Sequence, residues 1–141
     1  MSPKGKSSAF KKLAGVRRTE LRIDDLEQLA DALHWRCIPL DGAEVTDKDG
    51  FLEQCAEAFG LPEWFGMNWD ALEECLGEMD VDTVGVVVLW SDWSEFAEAE
   101  PTEFATAIDV FSAAARTWRE DGVKGGVLLV GEGPDVELPA L

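Results

Sequence analysis

Residues 84–90, VGVVVLW, constrain the fold more than any other part of this 141-residue chain. The run is continuously apolar, rich in β-branched residues and too short to stand alone as a helix. A strand with one wet face alternates. A strand without alternation is covered on both faces, as in a parallel sheet. GVLLV at 126–130 has the same character, and WRCIPL at 35–40 reads as another strand, ending at the turn Asp41-Gly42. Pro39 has no N–H for a ladder, so this strand lies at a sheet edge or ends at the proline.

Between these runs the apolar period becomes helical. Residues 23–33 place Leu26, Leu29, Ala30 and Leu33 at helical spacing. Phe51, Leu52, Cys55, Ala58 and Phe59 form the next stripe, with Thr46 as the expected cap and Gly60 as the stop. Ser91 is the expected cap of a short helical turn through Trp93 and Phe96. After Pro101, with Thr102 as cap, a long helix buries Phe104, Ala107, Ile108, Phe111, Ala114, Ala115 and Trp118 and stops near Gly122. Strands alternating with helices predict a small α/β domain over residues 23–131, a three-stranded parallel sheet packed with about four helices. Residues 1–22 read as a disordered basic arm outside the core, and 132–141 as a polar, proline-bearing tail.

Charge narrows the class of partner. Residues 1–22 hold seven Lys and Arg against one Glu, a net of +6; with −17 overall, the remainder stands at −23. Such a body repels nucleic acid and membrane surfaces and steers cationic proteins towards itself. Direct nucleic-acid binding by the folded part is not expected, and no apolar run reaches membrane-spanning length. Cys37, Cys55 and Cys75 are isolated and odd in number, which fits free thiols in a reducing compartment. With no apolar segment after the basic N-terminus to make a signal peptide, a cytoplasmic location is expected.

The stretch 61–79, LPEWFGMNWDALEECLGEM, concentrates the functional signal. Pro62 and Gly66 bracket a loop, Asn68 sits where an N-cap belongs, and Met67 with Leu72 fits a hydrophobic staple. In the helix, Leu72, Cys75, Leu76 and Met79 make an apolar stripe. Asp70, Glu73, Glu74 and Glu78 fall on the other side, with Gly77 among them, and no Lys or Arg occurs between Glu63 and Asp82. Most acidic helix faces are plain solvated surface. The missing counter-charges, the small Gly77 and the adjacent Trp64, Phe65 and Trp69 suit a site for a basic partner, although Trp64 or Phe65 could equally plug the core.

Other chemistries find little support. His34 is the single histidine, at the entrance to an edge strand with no nucleophile elbow nearby, and reads as a structural or surface residue. The glycine-bearing stretches lack the lysine and element order of a phosphate loop. Asp70 with Glu73 or Glu74 could pair as hydrolytic or metal-binding carboxylates. On an exposed face, however, they lack the apolar pocket that makes a general acid. No enzyme activity, metal or cofactor is expected.

Leu61-Pro62-Glu63, two aromatics, Gly66, Asn68, Asp70-Ala71-Leu72 and Cys75-Leu76 together resemble the loop and second helix of the barstar family, intracellular inhibitors of secreted ribonucleases. The resemblance extends more loosely over about residues 35–130. It implies a monomeric inhibitor whose acidic loop and helix plug a basic, phosphate-binding active site. Asp70 matches one principal contact aspartate of the family, and Glu74 matches the other with one extra methylene. Trp64 replaces a loop tyrosine that stacks at the enzyme site, while Gly66 and Asn68 are unchanged. Glu73 stands where the family has a tryptophan, and neither Ala113 nor Thr117 supplies the family's acidic contact on the long helix. The resulting partner-binding set is Trp64, Phe65, Gly66, Asn68, Trp69, Asp70, Glu73, Glu74, Gly77 and Glu78. A barstar-like module recruited to a basic partner other than a ribonuclease is the runner-up, and a small hydrolase using Asp70 and Glu74 is a third class.

Overall fold

The computed structural model describes residues 10, 13–62, 65–79, 83–136 and 138. Strand β3, Gly85–Ser91, pairs in parallel with β2, Arg36–Asp41, on one side and with β4, Lys124–Val130, on the other. Strand β1, Ala14–Thr19, pairs in parallel with the far side of β4, giving the order β1-β4-β3-β2. All five residues from Val86 to Trp90 are fully buried. Val86, Val88 and Trp90 join one core with Val127 and Leu129, whereas Val87 and Leu89 join another with Leu128. The two-residue period of the strand is present, but it sorts side chains between two cores. Pro39 lies exposed on β2, an edge strand, where its missing N–H costs no ladder bond.

The smaller core lies under α1, Ile23–Ala32, which buries Leu26, Leu29 and Ala30 together with Phe10 and Leu13. The larger core is covered by α2 (Lys48–Phe59), α3 (Trp69–Glu78), α4 (Ser94–Ala99) and α5 (Pro101–Glu120). Phe51 sits at its centre, with ring centroids of Trp90, Phe96, Trp69 and Phe111 at 5.0, 5.1, 5.6 and 6.0 Å. Each such aromatic pair adds about 0.5–1.5 kcal/mol beyond the area it buries.

Among the described residues the sheet therefore has four strands where three were expected, and five helices cover it. The additional strand, β1, comes from within the segment read as a disordered arm, of which residues 1–9, 11 and 12 lie outside the described residues. In AGVRRT only Val16 and Thr19 are buried, a spacing of three that matches no strand pattern. Strand β4 also begins earlier than its apolar run, at Lys124. Gly125 permits this: a Cβ there would fall 1.8 Å from the Val86 carbonyl oxygen. Three caps move as well. Asp47, not Thr46, caps α2 by accepting from Gly50 N–H at 2.7 Å. Ser91 ends β3, and Trp93 holds the N-cap position of α4. The first residue of α5 is Pro101 itself, whose missing N–H is one the helix start could not use.

The described part of the tail, residues 132–136 and 138, is held to the body. The Arg18 guanidinium on β1 donates to the Pro134 carbonyl at 3.0 Å and lies 4.8 Å from the Trp93 ring, while Val136 and Leu138 pack on the larger core. His34 is exposed, in left-handed backbone at φ 59°, and its carbonyl accepts from the Thr83 hydroxyl at 3.0 Å. Among the described residues no helix is long and apolar enough to cross a membrane.

Candidate functional site

Helix α3 starts where its cap dictates. Asn68 adopts extended backbone, accepts from Ala71 N–H at 2.8 Å, and donates through Nδ2 to the Gly66 carbonyl at 3.2 Å. One side chain thereby ties the loop to the first helical turn, an N-cap arrangement that is worth about 1 kcal/mol. Met67, read as half of a hydrophobic staple, is instead 38% exposed and in left-handed backbone at φ 50°.

The inner face fixes how the helix sits. Leu72 and Leu76 are fully buried. The buried Trp118 indole of α5 donates to the Leu76 carbonyl at 3.0 Å, satisfying a group near the helix end. Phe65 is only 7% exposed and joins the larger core. Trp69 is half-buried against Phe51, and its indole N–H donates to a Glu103 carboxylate oxygen at 2.8 Å. The Lys48 ammonium stands 5.8 Å from the same ring. Phe65 and Trp69 are thus turned inward and set the position of the loop and helix: Phe65 takes the core-plug alternative, and the picture of an exposed aromatic anchor beside the acids is corrected for Trp69. Trp64 lies outside the described residues.

The outer face is acidic and open. Asp70, Glu73, Glu74 and Glu78 are all exposed, and among the described residues none forms an ion pair with a Lys or Arg. Cys75 is half-buried beside them, and its thiol is pushed up by partial burial and then by the carboxylates of Glu74 and Glu78. Gly77 faces α5, where an added Cβ would meet the Thr117 methyl at 3.8 Å, an ordinary contact. Its smallness therefore serves no tight approach within the molecule. On α5, Thr117 spends its hydroxyl on the Ala113 carbonyl at 3.2 Å, so neither Ala113 nor Thr117 extends the acidic surface.

Sequence reasoning missed Glu103. In the first turn after a proline it reads as a partner of the helix dipole; its bond to Trp69, 34 residues away, has no local signature. Among the described residues no group of three His, Cys, Asp or Glu side chains is arranged to hold a metal ion. Chemically, the arrangement offers a rigid, multivalent acceptor for positively charged groups.

Residues 35–130 match the family model described as Barstar (barnase inhibitor), about two thirds of the chain. The match runs from the residue before β2 to the end of β4, so it holds α2 to α5 and three strands, and leaves β1 and α1 outside. No curated protein matches the chain.

Proposed function

The chain belongs to the barstar family, and from that premise we propose that it is a non-enzymatic inhibitor of a secreted ribonuclease or a related ribonuclease toxin. The observation that carries this reading is the outer face of α3: four exposed carboxylates, without a cationic partner among the described residues, on a helix anchored from inside. A ribonuclease active site presents Arg and Lys to the phosphates of its substrate. Carboxylates at Asp70 and Glu74 would take the place of those phosphates through charge-assisted hydrogen bonds. Anchoring matters because a helix already held by Leu72, Leu76 and Trp118 loses little conformational freedom on binding. The strongly negative body speeds encounter with a basic enzyme, at a rate that falls as salt rises. The protein would act as a monomer in the cytoplasm, with Gly66, Asn68, Glu73, Gly77, Glu78 and Trp64 at or around the contact.

Titration against a secreted guanyl-preferring ribonuclease tests this. Inhibition is expected to be complete near a one-to-one ratio and weakened by salt, without turnover of the inhibitor. Absence of any stoichiometric block, with a fully folded protein, removes the ribonuclease reading. Two departures from the family pattern favour the second reading, a different basic protein partner: the acid at Glu73 and the lack of one at Ala113 and Thr117. Retention of a basic protein on the immobilised domain, released by salt, while ribonuclease is unaffected, would select it.

A further inference from the structure

A cavity of about 590 Å³ opens at the end of the sheet where β1 and β4 begin. Phe10, Leu13, Leu33, Trp35 and Val123 supply its apolar lining, and Arg119 and Lys124 stand on its wall. This volume lies within the range of small-molecule sites, which pair an apolar lining with a few convergent polar groups. The lining is built before any ligand arrives. The Trp35 indole lies 5.2 Å from the Phe10 ring on one side and against Gly85 on the other, where an added Cβ would fall 2.3 Å from the indole. Its backbone N–H is fixed to the Ala30 carbonyl at 2.8 Å.

The two cations reach the cavity through the turn between α5 and β4. Gly122, at φ 85°, reverses the chain; Gly122 N–H bonds the Arg119 carbonyl at 3.0 Å and Val123 N–H bonds the Trp118 carbonyl at 2.8 Å. Lys124 N–H is held by the Val84 carbonyl at 3.0 Å. Both side chains are exposed, and neither makes an ion pair or side-chain hydrogen bond with another described residue. Arg119, in the last turn of α5, complements the helix dipole. Lys124, on the first residue of a strand, has no such role.

We propose that this cavity binds a small hydrophobe bearing one carboxylate or phosphate head, with the tail between Phe10, Leu33, Trp35 and Val123 and the head on Arg119 and Lys124. None of the cavity's lining residues belongs to α3, so the inhibitory reading stands or falls independently of it. Calorimetric titration of the full chain, below micelle concentrations, uses decanoate, decyl phosphate, decanol and decyltrimethylammonium as probes. The anionic probes are expected to bind once per chain, at least about tenfold more tightly than decanol, with the cation weaker still. Tighter binding of either anion supports the proposal and distinguishes a phosphate source from a carboxylate one. Arg119→Gln with Lys124→Gln, both at exposed positions, should leave the melting temperature in place and erase the preference for anions over decanol, a loss on the order of tenfold or more, as for hydrogen bonds to charged groups. Equal binding of decanoate and decanol to the parent, an unchanged preference in the double variant, or no binding of any probe would overturn it.

Discussion

The two faces of α3 are separated by half a helical turn and do opposite work. Inward, Leu72 and Leu76 are sealed from water, and Trp69 and Trp118 spend their indole N–H groups on Glu103 and the Leu76 carbonyl. Outward, four carboxylates face solvent with no cation among the described residues to answer them. Like charges three or four residues apart destabilise a helix by a few tenths of a kcal/mol per pair. The outer face is therefore a small liability that the inner face outweighs. Stability and recognition are assigned to different sides of one element, and substitutions should divide the same way.

The largest effect belongs inside. Leu72→Ala or Leu76→Ala should lower folding stability by about 2–5 kcal/mol in denaturant unfolding, while the folded fraction still binds. Next come the acids. Asp70→Ala and Glu74→Ala should each weaken inhibition by about 2 kcal/mol or more, with unfolding midpoints changed by no more than about 0.5 kcal/mol. A comparable loss of stability in these two would erase the division between the faces. Asn68→Ala lies on the boundary, since it removes the cap and the tie to Gly66. About 1 kcal/mol of stability should go, with a smaller effect on binding.

Gly77→Ala sharpens the comparison further. The backbone there is helical and a Cβ fits against Thr117, so stability should rise by about 0.5–1 kcal/mol. If the partner needs the bare backbone, inhibition weakens while stability improves. A separate effect, confined to high pH, concerns the thiols. Burial, and then the nearby Glu27, push Cys37 up to about 11, and burial raises Cys55 well above its ordinary value. Each holds its proton more tightly folded than unfolded, so their contribution is present below about pH 9 and is lost as pH climbs towards 11. Thermal melting across pH 8–11 should fall over that window, less steeply in Cys37→Ala.

How much of this was legible depended on whether a signal was local. The continuous run at 84–90 announced a strand buried on both faces, and from Gly85 to Trp90 it is one, with Val84 left exposed just before it. Asn68 and Gly60 announced helix ends because caps act within one turn. The stripe through Leu72 and Leu76 and the open acids at 70, 73, 74 and 78 followed from period alone. Strand β1 did not, because an edge strand burying only Val16 and Thr19 takes its shape from β4, more than 100 residues later. The inward turn of Trp69 was hidden for the same reason: its partners Phe51 and Glu103 are distant in sequence, and beside four acids an aromatic reads as exposed.

The most direct measurement is the salt dependence of binding to a secreted guanyl-preferring ribonuclease, for the parent and for Asp70→Asn with Glu74→Gln. The parent should bind tightly with a steep fall in affinity as salt rises, and the double variant should bind far more weakly with a shallower fall. Matching affinities and slopes for the two proteins would contradict the claim that the open carboxylates of α3 are what the partner grips.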